Sequence, residues 1–344
     1  MWKRLWQERR SWVGYPLAVL ALHIAGLALL ASAASSNPAL WSIGVLSYTL
    51  GMRHAFDADH IAAIDNTVRK LIQQNQRPHG VGFYFALGHS SVVFLMAVAM
   101  AFSVGWAMEH LPQFESVGGV IGSVVSGSFL LLIGILNLII LIQLFKLFIQ
   151  FRQGRHTQDQ FEELLESRGL FARLLRPMFR FIRRSWHIYP LGFLFGLGFD
   201  TASEIALLSI SAGAAKEAVS AAGILAFPIL FAAGMSLFDT ADGMFMTTAY
   251  RWAFASPLRK LYYNLIVTLL AVIAALTIGI TGLAQVISEN LGLTGAFWTW
   301  VQEIDFGILG YLLVAAFLLA WAVSFGLWKL LRLGEVPVGK TTEL

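Results

Sequence analysis

Long apolar runs separated by short polar or basic stretches dominate this chain. The first covers about 12–34, behind a basic start of Lys3, Arg4, Arg9 and Arg10. It exceeds a secretory h-region of roughly 7 to 15 residues, so it predicts a retained helix despite the cleavage-like Ala31-Ser32-Ala33. Further helices are predicted over about 40–66, 81–107, 118–148, 188–214, 223–250, 261–287 and 304–331, each able to cross a hydrocarbon layer about 30 Å thick. The fourth is long enough to tilt or to extend past the bilayer. The expected fold is all-α: a polytopic helical membrane protein with about eight transmembrane helices, forming one domain over 1–344.

The polar stretches orient these helices. Residues 150–186 form the one long polar connection, carrying Arg152, Arg155, Arg168, Arg173, Arg176, Arg180, Arg183 and Arg184. Its part from about 161 to 182 reads as an amphipathic helix on anionic headgroups or, on the same composition, as a solvated linker. The N-terminus, Arg69 to Arg77, Lys146, Arg251 to Lys260 and Lys329 to Lys340 all fall on the same face as that connection; Lys216 alone lies in an opposite loop. The positive-inside rule then places this face, the basic connection and both termini in the cytoplasm.

Composition agrees, with 57% of residues hydrophobic and only 13% charged, too little charge for a soluble multidomain protein. The absence of cysteine excludes disulfides and thiolate metal sites. No P-loop is present, so nothing suggests an ATPase activity or subunit, and nothing points to nucleic acid.

Against this background the segment Arg53-His54-Ala55-Phe56-Asp57-Ala58-Asp59-His60 is unusually polar. On a continuous helix Asp57 lies about 60° and His60 about 120° to one side of His54, and Asp59 about 140° to the other. Either Asp59 meets another helix or the helix is irregular here. Imidazole and carboxylate donors together suit a borderline divalent metal such as Ni, Co or Zn. Three other helices carry polar clusters: Gly88-His89-Ser90-Ser91; Asp200, Thr201 and Glu204; and Asp239 with Asp242. Ionisable groups at membrane depth are costly and tend to line a site or a path. His54, Asp57, Asp59, His60 and His89 are therefore the candidate metal ligands. Arg53, Ser90, Asp200, Thr201, Glu204, Asp239 and Asp242 are candidates for the path or the ligands' support. Arg53 reads as a counter-ion for Asp57 or for carboxylates of the fifth and sixth helices. His23 reads as a hydrogen-bonded structural residue, and His79, His110, His156 and His187 sit at helix ends without a site role. The second and fifth helices run in opposite directions, as do the third and sixth, which allows two inverted units meeting at mid-membrane.

An intramembrane metal-dependent enzyme is the rival reading. A di-iron centre needs more histidines than these clusters offer, and the Ser90 stretch lacks the second glycine of a nucleophile elbow, Val92 taking that place.

Four motifs carry a resemblance. Arg53 to Ile61 reads RHAFDADHI, Phe85 to Val93 reads FALGHSSVV, Leu197 to Glu204 reads LGFDTASE and Gly234 to Asp242 reads GMSLFDTAD. In this order the chain resembles the nickel/cobalt transporter (NiCoT) family of secondary metal permeases over essentially its whole length. The resemblance implies eight helices with cytoplasmic termini and a signature set at His54, Asp59 and His60. It also implies Ni(II) or Co(II) as transported substrate, with no prosthetic group. Ser91 and Ser203 stand where many members carry Thr. The expected function is uptake across the cell membrane, a bacterial inner membrane, driven by membrane potential.

Overall fold

The computed structural model describes residues 2–330 except 36, 75, 103, 153–181, 199–201, 218 and 254–256. Most of the expected basic connection, together with Asp200 and Thr201, lies outside the described residues. The described residues form helices α1 (Trp2–Ala34), α2 (Leu40–His54), α3 (Ala58–Gln73), α4 (Val81–Phe102) and α5 (Val104–Arg152), then a 3-10 turn at Ser185–Ile188. α6 (Tyr189–Gly196), α7 (Ala202–Lys216), α8 (Ala221–Ala253), α9 (Pro257–Asn290), the short α10 (Ala296–Gln302) and α11 (Phe306–Leu330) follow. No strand occurs among them. Among the described residues, six helical segments are long and apolar enough to cross a membrane: Val13–Ala34, Val81–Ala99, Val117–Gln143, Ala221–Trp252, Leu265–Asn290 and Phe306–Val323.

Two helices expected to be continuous are interrupted. Over 40–66 the chain leaves α2 through tight turns, Phe56 N–H donating to Arg53 O (3.0 Å) and Asp57 N–H to His54 O (2.9 Å). Asp57 is then extended (φ −66°, ψ 140°) and opens α3. Over 188–214, α6 stops at Gly196 and α7 starts at Ala202. Hydropathy cannot reveal such breaks, because it sums apolar content and is blind to whether the i→i−4 ladder persists. Between the third and fourth expected helices the difference is opposite. Glu109 and Glu115 do not form a connection but belong to α5, a helix of 49 residues. Polar residues alone do not end a helix without a competing cap or turn.

α8 is central and packs against α1, α2, α3 and α4, while α4 also packs on α6, and α5 lies along α9. Close approach depends on bare backbone. A Cβ at Gly82 of α4 would collide with the Asp239 carbonyl of α8. Small residues are the usual route to tight helix contact in lipid, where no hydrophobic effect drives association. α3 continues along α8 in the same sense as the chain advances, since His60 lies beside Asp239 and Ile64 beside Gly243. Leu17, Leu20, Ile24 and Leu27 of α1 and Ile308, Leu312 and Leu319 of α11 point outward, as lipid-facing stripes do. One buried cluster gathers around Phe227 and Phe231, another around Ile61, Phe85 and Phe195. The polar centre lies at their seam.

Candidate metal centre

The turn at 55–57 brings His54, at the end of α2, and His60, in the first turns of α3, to the same interior point. α4 supplies His89. The ring centroids form a near-equilateral triangle, 4.6 Å from His54 to His60, 4.6 Å from His54 to His89 and 4.7 Å from His60 to His89. One nitrogen from each lies within 4.8 Å of the others. All three are buried, at 1%, 0% and 3% exposure, which removes competing water. Phe231 packs by His54 and the Phe85 edge meets His60.

Each imidazole has its own carboxylate. Asp57 Oδ2 lies 2.9 Å from His54 Nδ1, Asp239 Oδ2 lies 3.2 Å from His60 Nδ1, and Glu204 Oε1 lies 2.8 Å from His89 Nε2. Carboxylates behind imidazoles fix the ring and its tautomer and raise the basicity of the nitrogen turned to a metal. His60 Nε2 and His89 Nδ1 are buried without a hydrogen-bond partner. His54 Nε2 and His89 Nε2 stand 2.8 Å apart, so one ring donates to the other. Because Glu204 Oε1 also lies 2.8 Å from His89 Nε2, that nitrogen can take an ion only once the Glu204 contact is released, and the nitrogen left open on this ring is Nδ1. Buried imidazole nitrogens with anionic support, giving up any proton as the metal binds, are what a divalent cation needs in exchange for its water.

The other expected residues fall around this centre. Asp59 is half-buried; its Oδ1 accepts from the His60 backbone N–H (2.9 Å), and its charge acts on His54 and Asp239. The helix is irregular here, as one of the two expected alternatives had it. Ser90 donates to Ala86 O (2.8 Å) of its own helix. Asp242 has a buried, unpartnered Oδ2 and interacts with Asp65. Arg53 is expected as a counter-ion for Asp57 or for carboxylates of the fifth and sixth helices, among which Asp200 lies outside the described residues. Arg53 donates to Ser203 Oγ (2.8 Å) and approaches Asp305 Oδ1 (3.9 Å). Asp65 and Asp305 escaped the sequence reading, although Asp65 lies only five residues beyond His60. Its Oδ1 accepts from Tyr250 OH (2.6 Å). His23 is the structural residue expected, contacting Val19 O (2.8 Å) and Tyr48 OH (3.2 Å).

Comparison with known proteins decides the family, because the family described as "High-affinity nickel-transport protein" (NicO) matches residues 40–327. The chain belongs to this nickel-transport family. A nickel transporter, NixA, of Staphylococcus aureus is 56% identical over 95% of this chain and 96% of its own. The high-affinity nickel-transport protein NixA of Helicobacter pylori strain J99 is 54% identical over 93% of this chain and 98% of its own. A cobalt transport protein, NhlF, of Rhodococcus rhodochrous is 42% identical over 91% of each chain. No solved structure matches. This is a family of transporters and not of enzymes, which removes the intramembrane oxidase and serine hydrolase readings; the metal is cargo.

Proposed function

We propose that the protein takes up Ni(II) or Co(II) into the cytoplasm as a secondary permease of a bacterial inner membrane, through a centre formed by His54, His60 and His89. The observation that carries this is the triangle of buried imidazoles, each backed by a carboxylate. Asp57 and Asp59 complete the ligand supply as the ion moves, with Asp239 and Glu204 supporting the rings. Asp200 and Thr201 belong to the same path by their place between α6 and α7.

Eight crossings with cytoplasmic termini follow if each interrupted pair, α2 with α3 and α6 with α7, counts as one span beside the six continuous ones. Three basic clusters also meet at one end. Arg77 and Arg251 both act on buried His79, which burial first and these charges second hold down to about 4. Ser185, beyond the long basic connection, donates to Arg77 O.

The driving force is the membrane potential. A divalent ion moving inward gains about 4.6 kcal/mol per 100 mV, which sustains roughly 2,000-fold accumulation. Purified protein in liposomes tests this. An inside-negative potassium diffusion potential accelerates nickel or cobalt entry without ATP; entry indifferent to the potential rules out electrogenic uptake.

A further inference from the structure

Arg53 reaches beyond Ser203 to a place where three charged groups converge on one bare backbone position. At Gly307, in the first turn of α11, an added Cβ would lie 3.0 Å from Asp305 Oδ1, 3.1 Å from Arg53 Nη2 and 3.4 Å from Asp57 Oδ1. The guanidinium thus stands at a gap shared by two carboxylates from different parts of the chain. Asp57 faces two ways, for its other oxygen lies 2.9 Å from His54 Nδ1. The Arg53 and Asp305 side chains are 39% and 47% exposed, whereas His54 behind them is 1% exposed. Asp305 also caps α11, Oδ1 accepting from Gly307 N–H (2.6 Å) and Ile308 N–H (3.3 Å).

We propose that Asp305 and Asp57 form an entry site for a hydrated divalent cation on the approach to the histidines, held at rest by the Arg53 guanidinium as a tethered substitute cation. This rests on the substrate and orientation proposed above, in which the 291–305 connection preceding α11 lies opposite the basic clusters. An arriving ion displaces Arg53, which keeps its hold on Ser203, and binds carboxylate oxygen while retaining water. Asp57 then passes it to His54. Oxygen donors alone discriminate poorly among divalent ions and accept Mn(II). The bound guanidinium therefore keeps the site closed to the commoner hard cations until an ion that the histidines can take follows through.

The test is Mn(II) binding to purified detergent-solubilised protein, counted by electron paramagnetic resonance. Arg53→Gln, which keeps a donor for Ser203, binds one Mn(II) per chain more than the parent, and Arg53→Gln with Asp305→Asn loses it. No extra ion in the single variant, or an extra ion that survives in the double variant, overturns the proposal. Asp305→Asn alone keeps a good helix cap, so folding is preserved. It raises the half-saturating nickel concentration for uptake about threefold or more at unchanged maximal rate, as loss of a focusing charge does; an unchanged half-saturation also overturns the proposal. The Mn(II) counts need no transport, so they stand or fall separately from the histidine centre.

Discussion

The two interrupted helices divide the labour of the centre unequally. The α2–α3 break places His54, Asp57, Asp59 and His60 within seven residues of chain, so the irregular backbone itself presents the candidate ligands. The α6–α7 break contributes through α7, whose Glu204 backs His89 and whose Ser203 holds Arg53. One break presents donors and the other holds them in place. The partners are also crossed: α2 and α3 pack on α8, while α6 and α7 pack on α4. α7 also touches α8 and α2, so the two breaks share neighbours. Ligands drawn from separate helices can be brought together or parted by relative movement of those helices, which a site built on one rigid helix could not do.

Removing donors at the first break has the largest effect. His54→Ala or His60→Ala abolishes high-affinity nickel uptake while the protein still reaches the membrane, measured as radioactive nickel accumulation at low metal concentration; near-normal uptake in both would break the comparison. Removing a supporting carboxylate costs less. Glu204→Gln and Asp239→Asn each lower metal affinity about 10- to 100-fold, read by equilibrium binding to purified protein. If Glu204→Gln were as severe as His60→Ala, the second break would have to be counted as a ligand source. Ser203→Ala removes one part-buried hydrogen bond of Arg53 and changes half-saturation by at most about fivefold. His23→Phe, away from both breaks, leaves uptake within about twofold, because its contacts are local and partly replaced by packing.

The all-helical type of the fold was legible because each apolar run is long and uniform, as in α8, α9 and α11. The number of helices was not, since two expected helices are each split and α5 runs through an expected connection. That His54, His60 and His89 belong to one polar cluster was legible because an imidazole side chain in an apolar run has few structural uses. Their geometry was not. Wheel angles placed Asp59 on the far side of the helix, and the turn at 55–57, with no glycine or proline to announce it, removes the premise of that calculation. Arg53 was noticed as an anomaly, but its partners lie 150 positions away at Ser203 and on Asp305. Spacing within a segment carries no information about such pairs. Asp305 sits outside the apolar stretch of α11 and looks like an ordinary cap, a role it does fill. The carboxylate–imidazole pairing across α3, α4, α7 and α8 depends on tertiary packing alone.

The contact of Gly82 with the Asp239 carbonyl limits how this centre can move. With no side chain interposed, α4 and α8 are already at the minimum separation of two backbones, so neither compression nor a cushioned slide is available. The spacing of α4, which carries His89, from α8, which carries the Asp239 that supports His60, is thereby set at its lower limit. A side chain added at position 82 would therefore push His89 of α4 away from the Asp239-supported His60 and open the imidazole triangle.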